Sequence, residues 1–221
     1  MKRWLHHNKG FIAFLFLFGI FRTAVADWNP IPSGSMRPNL LEGDVVFVNR
    51  LAFNLKVPLT DIIVTRTGEP KRGDVVTFSS PADGTRLIKR IVALPGDVVE
   101  MHGDQLIING KPASYTPLSF ETEQVRGQDT PAQRLREASG ASVHTIQLLP
   151  TVQSRRDFAA VTVPPDQFLM LGDNRNNSGD SRFFGFVPRA LLIGRAERVL
   201  VSADLDHHWR PRTERFGQKL E

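Results

Sequence analysis

Two prolines bracket a candidate nucleophile in residues 31–38, which read Ile-Pro-Ser-Gly-Ser-Met-Arg-Pro. Pro32 and Pro38 restrict the backbone on both sides of Gly34, which favours a rigid turn that presents the Ser35 hydroxyl with little freedom. A serine hydroxyl is a weak nucleophile and needs a neighbouring base before it attacks a carbonyl carbon. The segment therefore predicts nucleophilic chemistry at Ser35 if the fold supplies a base, and a linker otherwise.

The candidate base is a lysine in the alternating segment 86–92. Period two places Leu87, Lys89 and Ile91 on one face of a predicted strand. Burial between two aliphatic side chains disfavours the ammonium form and lowers the pKa of Lys89, so that its neutral amine can accept the serine proton. The alternative is a lysine that reaches solvent from a strand edge. Arg90 points to the opposite face and is expected to be an ordinary surface charge.

Other kinds of site are disfavoured by residue type and spacing. The chain has no cysteine, and its six histidines show no metal-ligand spacing. The loop at residues 172–185 is rich in Asp, Asn and Ser, but Arg175 stands where a calcium site needs an oxygen ligand, and Phe184 occupies the twelfth position. The net charge of +5 comes without a basic stripe interleaved with aromatic residues. We therefore expect no metal, no cofactor and no nucleic-acid partner.

The elements that must position these residues are predicted to be mainly strands. From residue 27 onward, short Val- and Ile-rich runs alternate with Gly, Pro and Asp. Gly-Asp-Val-Val occurs at Gly43, Gly73 and Gly96, and each copy is expected to start a strand; residues 98–101 and 105–109 predict a hairpin. Residues 112–160 are more polar and are interpreted as an inserted region with a helix at 131–138. Residues 206–221 form a polar, Arg-rich tail.

The N-terminus has the composition of a membrane-targeting segment. Basic residues precede an apolar run at 11–21 that carries no charge. The run and its flanks predict a transmembrane anchor at residues 10–26, with residues 1–9 in the cytoplasm because basic residues flank that end. Ala24, Val25 and Ala26 also resemble the processing site of a cleavable signal peptide, so removal of residues 1–26 stays open.

Taken together, the three chemical segments resemble those of type I signal peptidases, over most of the chain from Arg22 to about Ser202. In that family a Pro-Ser-x-Ser-Met motif carries the nucleophile, here Ser35, and an Ile-Lys-Arg stretch followed by Pro-Gly-Asp carries the base, here Lys89. The loop Gly-Asp-Asn-Arg-x-Asn-Ser-x-Asp-Ser-Arg matches residues 172–182. The resemblance implies that Ser33 helps to hold the oxyanion and that Ser178 orients the lysine. Asp180 and Arg182 would brace the site. This chain departs from the pattern with Asn for Asp at 176, Phe-Phe for Tyr-Trp at 183–184, and Ala93 before Leu94.

The same resemblance implies a mostly β fold: an all-β catalytic core (27–111 and 161–205), an inserted smaller region (112–160), a polar tail (206–221) and one N-terminal transmembrane helix. The expected substrates are signal-peptide-bearing preproteins, cut after small residues in Ala-x-Ala sites through an acyl-enzyme. The expected location is the bacterial inner membrane, with the N-terminus cytoplasmic, the catalytic domain on the periplasmic side, and lipid as a partner. Seven residues are expected to bind substrate: Ile31, Pro32, Met36, Leu40, Val46, Leu87 and Ile88.

Two alternatives stay open at this point. A dedicated Ser/Lys maturation peptidase of a conjugative transfer system would have the same dyad and a narrow client. A non-catalytic, membrane-tethered periplasmic binding module would use the same β scaffold and would tolerate loss of Ser35.

Overall fold

The computed structural model describes residues 4, 7–58, 60, 62–125, 127–205 and 207–220. Most of the cytoplasmic segment predicted at residues 1–9, and residues 206 and 221 of the tail, therefore lie outside the described residues. The described elements are mostly strands, as predicted.

Helix α1 spans Lys9–Ala24, and its large apolar side chains are exposed along most of its length. The helix is shorter than the predicted anchor, because Ala26 already pairs with Asn49 in the first strand. Among the described residues, no helix combines the length and the apolar character needed to cross a membrane.

The strands belong to four antiparallel sheets. Their bounds are β1 Ala26–Pro30, β2 Asp44–Asn49, β3 Asn54–Lys56, β4 Ile63–Arg66, β5 Val75–Ser79, β6 Arg86–Ala93, β7 Val98–His102, β8 Gln105–Ile108, β9 Lys111–Pro112, β10 Ser114–Val125, β11 Gln128–Ser139, β12 Ser142–Leu148, β13 Phe158–Thr162, β14 Gln167–Leu171, β15 Val187–Pro188, β16 Leu192–Asp204 and β17 Arg210–Pro211. A short helix, α2, covers Ser181–Phe184.

The largest sheet has the order β1-β2-β16-β5-β6-β14-β15, with β17 added to β16. The sheet curls so that β6 approaches the terminal strand β1. The side chain of Arg86 on β6 donates to Asp27 and Asn29 on β1, at 3.1 and 2.9 Å. The edges of β1 and β6 thus face each other across a gap. A second sheet, β13-β7-β8-β9, contains the predicted hairpin as β7 and β8.

The three Gly-Asp-Val-Val copies start β2, β5 and β7, as predicted, and share one turn. In each copy the aspartate carboxylate accepts a hydrogen bond from the backbone N–H three residues earlier, at 2.7 to 2.8 Å. The backbone N–H of the aspartate donates to the carbonyl of that same residue. Each glycine has a φ between 86° and 96°, which residues with a side chain rarely adopt. The motif therefore works as a local strand-starting turn.

The predicted helix at residues 131–138 is wrong, because these residues lie in β11. That strand pairs with β10 on one side and β12 on the other, and forms a three-stranded sheet inside the predicted insertion. Its buried positions are Thr130 and Ala132, then Leu135 and Glu137. The register of β10 against β11 shifts at Leu135. Pairing on both edges therefore decides the conformation of residues 131–138.

The described part of the tail packs on the core. Strand β17 pairs with the end of β16, and the Arg215 guanidinium contacts the Asp44 carboxylate at 2.6 Å. Asp44 is fully buried at the start of β2. The tail is thus tied to the strand that follows the candidate nucleophile.

Candidate active site

Ser35 lies in a short 3-10 helix, Gly34–Met36, that follows β1. The backbone of this turn is held by Asn174, whose N–H donates to the Ser35 carbonyl at 3.1 Å and whose side-chain amide donates to the Gly34 carbonyl at 3.0 Å. Ser35 is 8% exposed. The 172–185 loop therefore fixes the backbone that carries the hydroxyl.

Lys89 projects from β6 toward that hydroxyl. Its Nζ donates to Ser35 Oγ at 2.7 Å and to the Ile88 carbonyl at 2.9 Å. Its neighbours Leu87 and Ile91 pack in one apolar cluster, and Lys89 itself is 3% exposed. Burial lowers the pKa of Lys89 to about 8, against the opposing effect of the Asp180 and Asp173 carboxylates. A substantial fraction of the amine is thus neutral near physiological pH.

Arg90 is not the surface charge that the alternation predicts. It is 1% exposed, and its Nε and Nη2 donate to the two carboxylate oxygens of Asp173 at 2.8 Å each, while Nη1 donates to the Gly73 carbonyl. Every residue of β6 from Lys89 to Ala93 is buried, and Val92 and Ala93 pack in one cluster with residues of β7 and β8, so neither face of this part of the strand is open to solvent. Burial raises the pKa of Asp173, but the Arg90 guanidinium outweighs burial and holds that pKa below its usual value.

Asp180 and Arg182 lie together beneath the loop. Arg182 Nη2 contacts Asp180 Oδ2 at 2.7 Å, and both residues are buried. Asp180 also accepts the Gly172 N–H at 3.0 Å, while Arg182 donates to the Arg175 carbonyl at 2.6 Å. The ion pair thus joins the two ends of the segment that holds Asn174.

The expected hydrogen bond from Ser178 to Lys89 is not formed. Ser178 Oγ is buried without a hydrogen-bond partner among the described residues, and the Lys89 amine donates to Ser35 and Ile88 instead. The hydroxyl lies over Gly172 instead, next to the Ser35 carbonyl. Ser178 is therefore beside the dyad but does not orient the lysine in this arrangement.

A methyl group at Gly172 is expected to disrupt the site. A Cβ there would lie 2.2 Å from Ser178 Oγ and 2.5 Å from the Ser35 carbonyl oxygen. Since that backbone oxygen must move, we expect Gly172→Ala to lower kcat/KM by about a hundredfold, the cost of a displacement of roughly 1 Å at a reacting group. Steady-state peptidase kinetics on the purified variant measure this.

Gly179→Ala is the matched control for this substitution. It lies in the same loop, and a Cβ there meets nothing within 4 Å. We expect its kcat/KM to stay within about twofold of wild type, because alanine at an unstrained position costs little. Equal activities for the two alanine variants would show that the close approach at Gly172 is not needed.

Ser33 lies at the mouth of the site. Its Oγ is 3.5 Å from Ser35 Oγ, and the residue is exposed. Its backbone is extended, with φ −145° and ψ 154°, just before the turn that carries Ser35. The Ser33 hydroxyl therefore flanks the nucleophile on the side opposite the protein interior.

The predicted substrate residues do not form one pocket. Ile31, Met36, Leu40 and Val46 are buried in one apolar cluster, with Ile88 packed against it; Leu87 packs against a different cluster, and Pro32 is exposed. A cavity of about 770 Å³ does open beside Ser35, and none of the seven is among its described lining residues. Its walls come from the β10–β11 hairpin and from residues 151–154 and 176–179.

Two asparagines of the 172–185 loop support the site, although no role was predicted for them from the sequence. Asn174 holds the nucleophile turn, and Asn176 ties the loop to the rest of the protein: it accepts the Leu149 N–H at 2.7 Å and donates to Ser154 and Asp104. An aspartate at 176 would oppose the carboxylate of Asp104. The departure from the family pattern at 176 was the one sequence signal that pointed to Asn176, but the sequence does not show its contacts with Leu149, Ser154 and Asp104.

The inserted sheet also contacts this loop through charge. Arg175 forms a bidentate ion pair with Glu137 of β11, and both residues are about 1% exposed. Burial raises the pKa of Glu137, but the Arg175 guanidinium outweighs it and the pKa lies below its usual value. Within the described ranges, no three or more His, Asp or Glu side chains are grouped so as to hold a metal ion.

Comparison with known proteins identifies the family of this chain. The family profile described as signal peptidase, peptidase S26, matches residues 2–201. A signal peptidase I from Pseudomonas fluorescens is 34% identical over 210 residues, and one from Pseudomonas aeruginosa is 33% identical over 210; each alignment covers 90% of this chain and 72% of the relative. A signal peptidase I structure from Enterococcus faecalis shares 34% identity, with a TM-score of 0.35, and covers 58% of this chain and 97% of that one. The chain belongs to the signal peptidase family, peptidase S26, and is a serine endopeptidase.

Proposed function

We propose that this protein removes signal peptides from exported preproteins with Ser35 as nucleophile and Lys89 as general base. The observation that carries the proposal is the 2.7 Å contact between Lys89 Nζ and Ser35 Oγ, made by a lysine that is almost fully buried. A buried lysine with a pKa of about 8 is the base that a serine needs in the absence of histidine. The geometry therefore favours a Ser/Lys dyad over the alternatives that residues 31–38 are a linker and that Lys89 reaches solvent from a strand edge.

The reaction proceeds in two halves. Neutral Lys89 accepts the Ser35 proton as Oγ attacks the scissile carbonyl carbon, and the resulting ammonium gives that proton to the departing amine. The signal peptide is then held as an ester on Ser35. Lys89, neutral again, takes a proton from water as the water attacks the ester, and it returns that proton to Ser35 Oγ as the ester bond breaks and the signal peptide leaves with a new carboxyl group. The same amine thus serves both halves.

The tetrahedral oxyanion is stabilised by the Ser35 N–H and the Ser33 hydroxyl in this proposal. We expect Ser33→Ala to lower kcat by roughly tenfold to a thousandfold, because one oxyanion donor is lost. Ser33→Thr keeps the hydroxyl and should restore most of the rate. Single-turnover kinetics separate this effect from binding; a Ser33→Ala enzyme as fast as wild type would remove Ser33 from the mechanism.

Substrate is proposed to bind as an added strand between β1 and β6. On one side Arg86, Leu87 and Ile88 pair with β5, whereas no described strand pairs with them on the other side. Strand β1 is the terminal strand of the same sheet. Two facing free edges are the arrangement that accepts an extended peptide through main-chain hydrogen bonds.

Selection of small residues before the cut is a further part of the proposal. Four of the seven expected substrate residues are buried in a packed cluster: Ile31, Met36, Leu40 and Val46. These four side chains are at most 3% exposed, so a peptide that lies over them, along Pro32, Leu87 and Ile88, meets a filled apolar surface with little room for large side chains. Alanine-sized side chains fit such a surface, which supports Ala-x-Ala specificity.

The proposal includes attachment to the bacterial inner membrane. Helix α1 exposes large apolar side chains over two-fifths to two-thirds of their surface, including Phe11, Phe14 and Phe16. A lipid surface would cover them, and the preprotein's own signal sequence would then share that surface, which raises its effective concentration at Ser35. A single crossing with a cytoplasmic N-terminus and a periplasmic catalytic domain stays a prediction from the sequence.

Cleavage of a preprotein with an Ala-x-Ala site tests the proposed function. Detergent-solubilised wild type and Ser35→Ala are incubated with it, and the new N-terminus is sequenced. Cleavage directly after the site by wild type alone is the expected result. A product that Ser35→Ala also forms would remove Ser35 from the reaction. Cleavage restricted to one conjugative-transfer precursor would favour the dedicated peptidase over general processing.

A further inference from the structure

The cavity beside Ser35 has no role in the proposed binding of the signal peptide. The upstream part of the substrate occupies the β1 and β6 edges, but the cavity is lined by Ser33–Ser35 together with the β10–β11 hairpin and residues 151–154 and 176–179. It therefore begins at the nucleophile and extends away from those edges. Once the scissile carbonyl lies over Ser35, the chain that follows it must leave in this direction.

The cavity is suited to an extended polar segment of peptide. Its volume of about 770 Å³ lies within the usual range of about 300–1,000 Å³ for ligand pockets. Hydroxyl and amide side chains dominate its described lining, among them Thr130, Gln153 and Asn177. The cavity therefore offers many hydroxyl and amide groups to the backbone of a bound peptide.

One acidic side chain gives this wall its charge. Asp129, at the start of β11, is the only charged residue among the described lining residues. Its carboxylate accepts a hydrogen bond from Gln124, and no lysine or arginine pairs with it in the described part of the chain. An unneutralised carboxylate attracts a basic side chain of a bound peptide and repels an acidic one.

We infer that this cavity binds the first residues of the mature protein, those that follow the scissile bond, and that Asp129 makes it favour a basic over an acidic side chain there. The inference rests on the proposed function and deepens it, because it assigns the inserted hairpin a part in substrate selection. The hairpin would thereby contact the mature protein, which is the product released first.

The test uses three preproteins that are identical except at the second residue after the cut, which is Lys, Gln or Glu. Wild type is expected to cleave the Lys substrate with a kcat/KM about threefold to tenfold above that for the Glu substrate, with Gln between them, because the ratio combines an attractive exposed charge pair for Lys with a repulsive one for Glu. High salt should reduce the ratio. Asp129→Asn should bring it close to one, and Asp129→Lys should reverse it.

Asp166→Lys is the control, since it changes the net charge equally and Asp166 pairs with Arg66 outside the lining of the cavity. It should keep the wild-type ratio. A ratio near one in wild type, or one that Asp129→Lys leaves unchanged, would overturn the inference while cleavage itself upholds the proposed function. If wild type cleaves none of the three substrates, the proposed function and the inference are both wrong.

Discussion

Replacing Lys89 by methionine is expected to abolish cleavage and to stabilise the folded protein. Loss of the base should lower kcat/KM by at least about a thousandfold, because the Ser35 hydroxyl loses its proton acceptor. Burial lowers the pKa of Lys89 from 10.5 to about 8, and each pKa unit corresponds to about 1.4 kcal/mol. Below pH 8 the charged lysine therefore costs the fold roughly 3 kcal/mol, which an apolar side chain of similar length avoids.

The sign of this stability effect depends on pH. Below about pH 8, Lys89 is protonated in both the folded and the unfolded chain, so the whole cost is present. Between pH 8 and 10.5 the unfolded chain binds more protons, and wild type gains stability relative to Lys89→Met as pH rises. In urea unfolding, the free energy of unfolding of Lys89→Met should exceed that of wild type at pH 6.5, and by more than it does at pH 10. A variant less stable than wild type at pH 6.5 would contradict the assigned burial cost.

Replacing Asp173 by alanine is expected to be the most destabilising single change near the site. It would leave the guanidinium of Arg90, which is 1% exposed, without its carboxylate partner. Breaking a buried ion pair from one side costs about 3–5 kcal/mol, because the remaining charge stays desolvated. The Asp173 carboxylate also accepts from Asn39, so a second contact is lost. The free energy of unfolding from denaturant titration measures the loss.

Arg66→Ala provides the comparison for this loss, because it breaks an exposed ion pair and leaves Asp166, whose φ is 54°, unchanged. Asp166 pairs with Arg66 at 2.8 Å, the same distance as the buried pair, but both side chains are more than half exposed. An exposed pair contributes about 0–1 kcal/mol. Similar losses for the two variants would mean that the Arg90–Asp173 contact does not bear on the stability of the core.

Local patterns were sufficient to predict the dyad strand and the strand-starting turns. The alternation around Lys89 indicated its burial, since Leu87 and Ile91 flank it on one face. The Gly-Asp-Val-Val turns were predictable because their hydrogen bonds join residues three positions apart. In both cases the physical cause lies within a few residues.

Features that depend on distant partners were not predictable in this way. Alternation placed Arg90 on a solvent face because one sequence does not show that other strands pack over β6, or that Asp173, 83 residues away, pairs with Arg90. One sequence likewise does not show that β10 and β12 pair with residues 131–138 and make them a strand. One sequence also does not show that Ser178 packs against Gly172, near the Ser35 carbonyl. Such contacts are decided by the tertiary structure.

The inserted sheet does more than interrupt the core. Gln147 at the end of β12 forms a parallel bridge with Asn174, and its carbonyl accepts the Arg175 N–H at 2.9 Å. Arg175 in turn pairs with Glu137 of β11. Because Asn174 holds the backbone of Ser35, the sheet supports the nucleophile through a short chain of contacts. A region that reads as a polar insertion is thus part of the structure that positions the reaction.

The pH dependence of kcat/KM tests the assignment of Lys89 as base most directly. With a peptide substrate that does not titrate between pH 6 and 10, wild-type kcat/KM should rise with pH through a single apparent pKa of about 8 and then level off, because only the neutral amine accepts the Ser35 proton. A profile already level at pH 7, or one that inflects near the ordinary histidine pKa of about 6.5, would contradict the assignment of Lys89 as base.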